Sequence, residues 1–324
     1  MSEPPAQLLL TPLVPLYAAA LNVKNLAYDR GWIKPNRLRW PVVSVGNLSV
    51  GGAGKTPAVI RLAQLLREQG HAVDVLSRGY GRESQGVERV DPEGSAVQFG
   101  DEPLLIARTA GVPVWVGADR YQVGVQAERS QSTPSIHLLD DGFQHRRLAR
   151  AVDIVVLHSS DFDQHLLPAG RLREPLSALK RASVLILRDE DRELEAELRR
   201  RGFDVPLWIQ QRRLAVNSPA RAVVFCGIAR PSEFFSALRT RGIEIAATSA
   251  YRDHHVYSDS DINSLLQLRE AHKAEAFFTT EKDWVRLTAS QRARLAPLHI
   301  ARLEVVFENE TAVTAQLLSL LVRK

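Results

Sequence analysis

The chain carries a single cysteine, Cys226, among 324 residues. That excludes an intramolecular disulfide and any cysteine-based metal site, and it fits a reducing, cytoplasmic setting. Long apolar runs are also missing. The nearest, Leu8 to Leu21, is too short to span a bilayer and contains Pro12 and Pro15. No basic lead-in precedes it, so a cleaved secretory signal is not expected. There is no internal repeat, no low-complexity tract, no nucleic-acid reading motif and no continuous basic stripe, which ranks a nucleic-acid-binding role low. What is present, 45% hydrophobic and 24% charged residues, describes an ordinary globular chain long enough for two domains. The net charge of +5 suits acidic partners such as nucleotides, phospholipid headgroups or nucleic acid, without choosing among them.

The most informative segment runs from Gly46 to Pro57, Gly-Asn-Leu-Ser-Val-Gly-Gly-Ala-Gly-Lys-Thr-Pro. An apolar run, Pro41 to Val45, precedes it, and a helical pattern with Val59, Leu62, Ala63 and Leu66 on one face follows. Strand, glycine-rich turn and helix together read as a phosphate-binding loop. Backbone N–H groups of Ser49, Val50, Gly51, Gly52, Ala53 and Gly54 would converge on phosphate oxygens at a helix N-terminus. Lys55 would reach the outer phosphates, and the Thr56 hydroxyl would ligate Mg²⁺. The strict pattern asks for glycine where this chain has Ser49. The plain alternative is a glycine-rich strand-to-helix turn.

Short β-rich runs at 42–45, 72–76, 112–116, 136–139, 154–157 and 184–187 alternate with helical patterns at 57–69, 102–110 and 120–128. This order predicts an α/β fold, a P-loop NTPase-like, mostly parallel sheet flanked by helices. Gly70 is placed to stop the first helix. Residues 188–201 read as a charged, solvated helix, acidic early and basic late. Arg212-Arg213 and Asn217-Ser218-Pro219 interrupt the pattern, and a second, smaller α/β unit follows with no phosphate loop of its own. The expected division is 1–40, 41–215 and 216–324. Residues 1–40 combine the apolar run with Lys24, Arg30, Lys34, Arg37 and Arg39 and with Tyr17, Tyr28, Trp32 and Trp40. Two readings fit: a segment lying in a membrane surface, or a helix packed on the core with a basic loop after it.

A phosphate loop needs an acidic partner for its metal. The run ending in Asp140-Asp141-Gly142 supplies two carboxylates at the sheet edge where open α/β folds bind ligands. Neighbours in an extended chain point to opposite sides, so Asp140 and Asp141 can serve different tasks. Asp101-Glu102, just before a helix, reads either as an N-cap or as a base or metal-shell carboxylate. Loop arginines beside glycines and acids, Arg78, Arg120, Arg171 and Arg173, can clamp phosphates. Asp253-His254-His255 suits acid–base chemistry or substrate binding better than chelation, and a plain loop histidine fits as well. Thr279-Thr280-Glu281-Lys282-Asp283 closes a strand and could face the same cleft.

Taken together, the segments Ser44 to Pro57, Ser77-Arg78-Gly79-Tyr80-Gly81, Gly100-Asp101-Glu102-Pro103, Asp140-Asp141-Gly142-Phe143-Gln144-His145, Leu172-Arg173-Glu174-Pro175, Asp253-His254-His255 and Thr279 to Asp283 resemble the tetraacyldisaccharide 4'-kinase family of Gram-negative bacteria. Ser49 is no departure within that family. The resemblance covers about residues 8 to 315 and implies ATP and Mg²⁺ as cofactors. It implies transfer of the γ-phosphoryl group to the 4'-hydroxyl of a tetraacylated glucosamine disaccharide 1-phosphate, giving lipid IVA in lipid A biosynthesis. It also implies a peripheral, monotopic position on the cytoplasmic face of the inner membrane, with the N-terminal helix as anchor. Asp101 and His254 correspond to an acid–base pair, joined by Lys55 and Asp141 as catalytic residues. Thr56, Asp140 and Glu102 form the implied metal set, and Arg78, Arg120, Gln144, Arg171 and Arg173 the substrate-binding set. No nucleic acid and no obligate protein partner is expected. The competing class is a Mrp/MinD-type switch ATPase, which places a signature lysine where this chain has Val50.

Overall fold

A computed structural model describes residues 10–51, 54–216 and 220–322. The six apolar runs become β1 (Val42–Asn47), β2 (Val73–Ser77), β4 (Val114–Val116), β5 (Ile136–Asp140), β6 (Val152–Val156) and β7 (Val184–Arg188), and a two-residue edge strand, β3 (Glu88–Arg89), is added to them. Every residue of β1, β2, β5 and β7 is buried, as strands covered by helices on both faces should be. Five more strands follow: β8 (Leu207–Ala215), β9 (Arg221–Cys226), β10 (Glu244–Ala250), β11 (Ala276–Thr280) and β12 (Leu298–Phe307). All twelve form one sheet in the order β10-β9-β11-β12-β8-β7-β6-β1-β5-β2-β4-β3. Pairing is parallel except at the β3 edge and where β12 meets β8.

That antiparallel joint is where the strands up to β8 and those from β9 on meet in one sheet. β8 pairs with β7 through residues 207–210 and with β12 through residues 210–215. β12 pairs with β11 through residues 298–301 and turns to β8 with residues 302–307. Each strand spends one half in its own sheet and the other half in a two-stranded connection. The helix Glu310–Val322 then returns to the first half, where Val313 and Leu317 join the cluster of Val43, Val45, Val59, Leu62 and Leu138. Burying each such side chain contributes about 1.5–3 kcal/mol.

The helices Lys55–Glu68, Asp101–Ala110 and Arg120–Ser130 lie where the periodicity placed them, and Gly70 adopts φ 82° beyond the first. Two expectations need correction. Residues 188–201 are not one helix: Arg188 closes β7 and is buried, a 3-10 turn covers Asp189–Asp191, and only Leu194–Arg200 is α-helical. Arg212 and Arg213 do not break the pattern. They continue β8, whose outer half is only partly buried and so tolerates charged side chains. Asn217, Ser218 and Pro219 lie outside the described residues.

The N-terminal helix Val14–Asp29 buries none of its residues fully. Its two faces differ. Leu16, Val23 and Leu26 are exposed, and Leu13 lies on the same side. Tyr17 and Asn25 turn inward: the Tyr17 hydroxyl donates to the Arg173 carbonyl at 2.9 Å and Asn25 Nδ2 donates to Glu174 at 3.3 Å, while the exposed Asp29 pairs with Arg146 at 2.6 Å. Among the described residues, no helix is long and apolar enough to cross a membrane.

Candidate active site

β1 enters the phosphate loop through a backbone that only glycine permits. A Cβ on Gly46 would stand 2.5 Å from Phe143 Cβ and 2.8 Å from the Phe143 nitrogen. Gly54, at φ 86°, turns the chain into the helix Lys55–Glu68. Gly52 and Ala53 lie outside the described residues. The loop's first limb is held like a strand: Val50 N–H donates to Arg171 O at 2.8 Å, Arg173 N–H to Leu48 O at 2.7 Å, and Ser49 bridges Leu172. The Arg171 guanidinium donates to Val50 O at 2.9 Å.

At the head of the loop, charges converge on one asparagine. Lys55 Nζ donates to Asn47 Oδ1 at 2.9 Å and stands 3.4 Å from Asp141. Arg173 grips the Asp141 carboxylate with two N–H groups at 2.9 and 2.8 Å, and Nη2 also reaches Asn47 Oδ1. Gln144 Nε2 donates to Asn47 O at 2.9 Å, leaving its buried Oε1 without a partner among the described residues. Burial works to raise the Asp141 carboxyl, but the Arg173 hydrogen bonds and the Lys55 charge outweigh it and hold it well below the usual range.

Asp140 does turn the other way. It ends β5, is 2% exposed, and takes a hydrogen bond from Ser77 Oγ at 3.0 Å through Oδ2. Burial first, then the Glu102 and Asp141 carboxylates, pushes its carboxyl up to about 7. Its Oδ1 is buried with no partner among the described residues. An orphaned carboxylate oxygen at the edge of a phosphate loop fits a hard, oxygen-preferring cation. Thr56, buried at the start of the loop helix, offers a hydroxyl of the same kind. Among the described residues, no group of three or more His, Cys, Asp or Glu could hold a metal by itself. Mg²⁺ characteristically takes only one or two carboxylates and completes its shell with water and substrate phosphates.

The second charged group joins residues far apart in the chain. His254 Nδ1 lies 3.0 Å from Asp101 Oδ2, and Lys282 Nζ lies 2.5 Å from Glu102 Oε1. The Asp101 Oδ1 accepts the Glu102 N–H at 3.0 Å, so the aspartate caps no distant turn and its other oxygen serves the histidine. With Asp101 ionised, Nδ1 carries the proton, and Nε2, 3.9 Å from the Asp253 carboxylate, is the nitrogen left to accept one, a tautomer assigned from this geometry. The hydrogen bond that His254 donates to Asp101 raises the His254 pKa, against burial. Burial would raise Asp101, yet the His254 hydrogen bond and the Arg286 charge lower it far more. The Tyr80 ring stands edge-on to His254 at 5.8 Å. Glu102, next in the chain to Asp101, feels the Lys55 charge, and Asp140 feels Glu102, so the Glu102 carboxylate borders the phosphate site.

Of the remaining arginines, Arg120 is 8% exposed, with Nη1 on Ala118 O at 2.8 Å and Nε unpartnered. Burial first, then the nearby Arg78 charge, lowers its pKa, and the Asp141 and Asp140 charges oppose this. Arg78 is exposed beside it. Sequence reasoning did not single out Asn47, Ser77 or Arg286. Asn47 sat inside the recognised loop motif, and its place at the strand end was the available signal. Arg286 gave none, because its role depends on a helix, Glu281–Arg286, that sets it one turn beyond Lys282.

A phosphate loop on a parallel sheet, a carboxylate ready for a cation and a histidine–aspartate pair at the loop's border define a P-loop phosphotransferase. Residues 6–322 match the family model described as Tetraacyldisaccharide-1-P 4'-kinase, and the chain belongs to that family. A tetraacyldisaccharide 4'-kinase of Koribacter versatilis is 45% identical, over 97% of this chain and 99% of that one. One from Pelobacter propionicus is 37% identical over 97% and 92%. The crystal structure of LpxK from Aquifex aeolicus in complex with ATP superposes with a TM-score of 0.79 at 31% identity, covering 98% of this chain and 99% of that one. These likenesses favour a kinase over the switch ATPase.

Proposed function

We propose that this chain transfers the γ-phosphoryl group of ATP to the 4'-hydroxyl of a tetraacylated glucosamine disaccharide 1-phosphate. The observation that carries the reading is the 3.0 Å contact of His254 with Asp101 beside the Lys55 and Asp141 cluster. A sugar hydroxyl is a poor nucleophile, and a positioned base contributes about 10²–10⁴-fold. His254 Nε2 takes the hydroxyl proton while Asp101 stays ionised and stabilises the imidazolium that forms. Lys55 neutralises charge on the outer phosphates, and Asp141 together with Asn47 fixes its ammonium. Arg171 and Arg173 brace the loop, and Arg78, Arg120 and Gln144 orient the substrate.

Asp140, Thr56 and Glu102 are the residues that would hold Mg²⁺, which would supply charge neutralisation for phosphoryl transfer. Leu13, Leu16, Val23, Leu26, Trp32 and Ile33, all exposed, with Lys24, Arg30, Lys34, Arg37 and Arg39 nearby, support a helix lying in an anionic membrane surface. That surface is the cytoplasmic face of the inner membrane. The units 41–215 and 216–324, the latter without the helix Glu310–Val322 that packs on the first, work as two bodies that close on substrate, because base and phosphate site come from different units. Crosslinking them shut should abolish nucleotide release; unchanged turnover and release would refute closure. Replacing Lys55, Asp101, Asp141 and His254 singly by Ala should each cost at least about 10² in 4'-phosphorylation. Near-normal rates for Asp101→Ala and His254→Ala would remove them from the reaction.

A further inference from the structure

We propose that Arg286 is the positioning residue of the acid–base pair, holding Asp101 and the His254 loop in one geometry across the two units. The inference rests on the reading of Asp101 and His254 as that pair. The Arg286 side chain is 5% exposed. Its Nε donates to Asp101 Oδ2 at 3.0 Å, and Nη2 donates to the same oxygen. That oxygen is the one His254 meets. Its third nitrogen, Nη1, donates to the Gly227 carbonyl at 2.7 Å and to Asp283 at 3.1 Å. The same Gly227 carbonyl accepts the His254 N–H at 3.2 Å. One planar fork thus addresses the carboxylate of one partner and the backbone anchor of the other, which a flexible ammonium cannot do.

The anchor is built for a single conformation. Gly227 N–H donates to the fully buried Asp283 at 2.8 Å, and Asp283 also takes the Tyr257 hydroxyl at 2.9 Å and the Thr280 hydroxyl at 2.6 Å. A Cβ on Gly227 would stand 2.9 Å from Arg252 O and 3.1 Å from His255 Cβ, so the histidine loop lies directly on this backbone. His254 itself sits at φ 61°, a left-handed conformation that a histidine keeps only when its surroundings enforce it. Lys282, four residues before Arg286 on the same helix, pairs with Glu102, so one helical face docks on both acids.

The test compares kcat and KM for Arg286→Ala, Arg286→Lys, His254→Ala and the Arg286→Ala/His254→Ala double variant, each with its melting temperature. Arg286→Ala should lose about 10²-fold in kcat, with both KM values within about threefold of the parent. Arg286→Lys, which keeps the charge but cannot span both anchors, should lose about tenfold while melting near the parent. The double variant should be no more than about twofold slower than His254→Ala, because nothing is left to position. A parent-like kcat in Arg286→Lys, or losses that multiply in the double variant, would overturn the proposal. Parent-like turnover in His254→Ala would instead sink the base-pair reading on which it rests.

Discussion

Gly46→Ala tests whether the loop geometry is set by packing rather than by the motif's lysine alone. The new methyl would stand 2.5 Å from Phe143 Cβ, 2.8 Å from its nitrogen and 3.2 Å from its Cα, against ordinary contacts of 3.4–4 Å. The overlap is thus about 0.9 Å on the worst pair, and two of the three atoms are backbone that cannot swing away. Phe143 is wholly buried, and its neighbours Asp141 and Gln144 face Lys55 and Asn47. Overpacking of this kind costs about 1–3 kcal/mol, and the backbone contacts place it near the top of that range. Thermal unfolding should therefore fall by roughly 6–12 °C, taking about 2–4 °C per kcal/mol for a unit of this size. Turnover should fall with it, because β1 and the Asp140-Asp141 turn must part. Gly70→Ala is the control: at φ 82° with open space around it, it should cost about 1 kcal/mol of backbone strain and leave turnover intact. A Gly46→Ala protein that melts within about 1 °C of the parent with full turnover would refute the reasoning.

Asp140, raised from 3.8 to about 7, gives the metal-free protein a defined pH dependence. The folded form binds this proton more tightly than the unfolded chain, so its contribution favours folding at low pH and is lost as pH rises through 7. Asp140→Asn should melt higher than the parent at pH 8 without metal and lose Mg²⁺-dependent turnover; equal melting at pH 8 would count against the buried charge. At the opposite end of the molecule, Leu16→Glu with Val23→Glu should weaken sedimentation with anionic vesicles by at least about tenfold, since each apolar side chain is worth about 1.5–3 kcal/mol when buried. Unchanged vesicle binding would show that this face meets no membrane.

The strand–loop–helix unit was legible because glycine, lysine and apolar periodicity act locally there, and β1 with the helix Lys55–Glu68 followed the pattern within about two residues. Asp140 and Asp141 do meet different partners, but not through alternation in an extended chain, because Asp141 lies beyond β5 at φ 51°. β8 was hidden because its arginines lie on a half-exposed ribbon, where charge carries no information about strand ends. The Asn47, Lys55, Asp141 and Arg173 cluster draws on residues up to 126 apart, and Arg286 meets Asp101 across 185 positions. Such meetings depend on the sheet order, with β1 between β5 and β6, which no local pattern encodes.

The most direct measurement incubates the purified protein with ATP labelled at the γ-phosphoryl group, Mg²⁺ and the detergent-solubilised tetraacyl disaccharide 1-phosphate. The product lipid is then analysed for the site of label. Label on the 4'-oxygen, formed in step with ADP and absent in His254→Ala, is the result predicted. Release of labelled inorganic phosphate with the lipid left unmodified would contradict it.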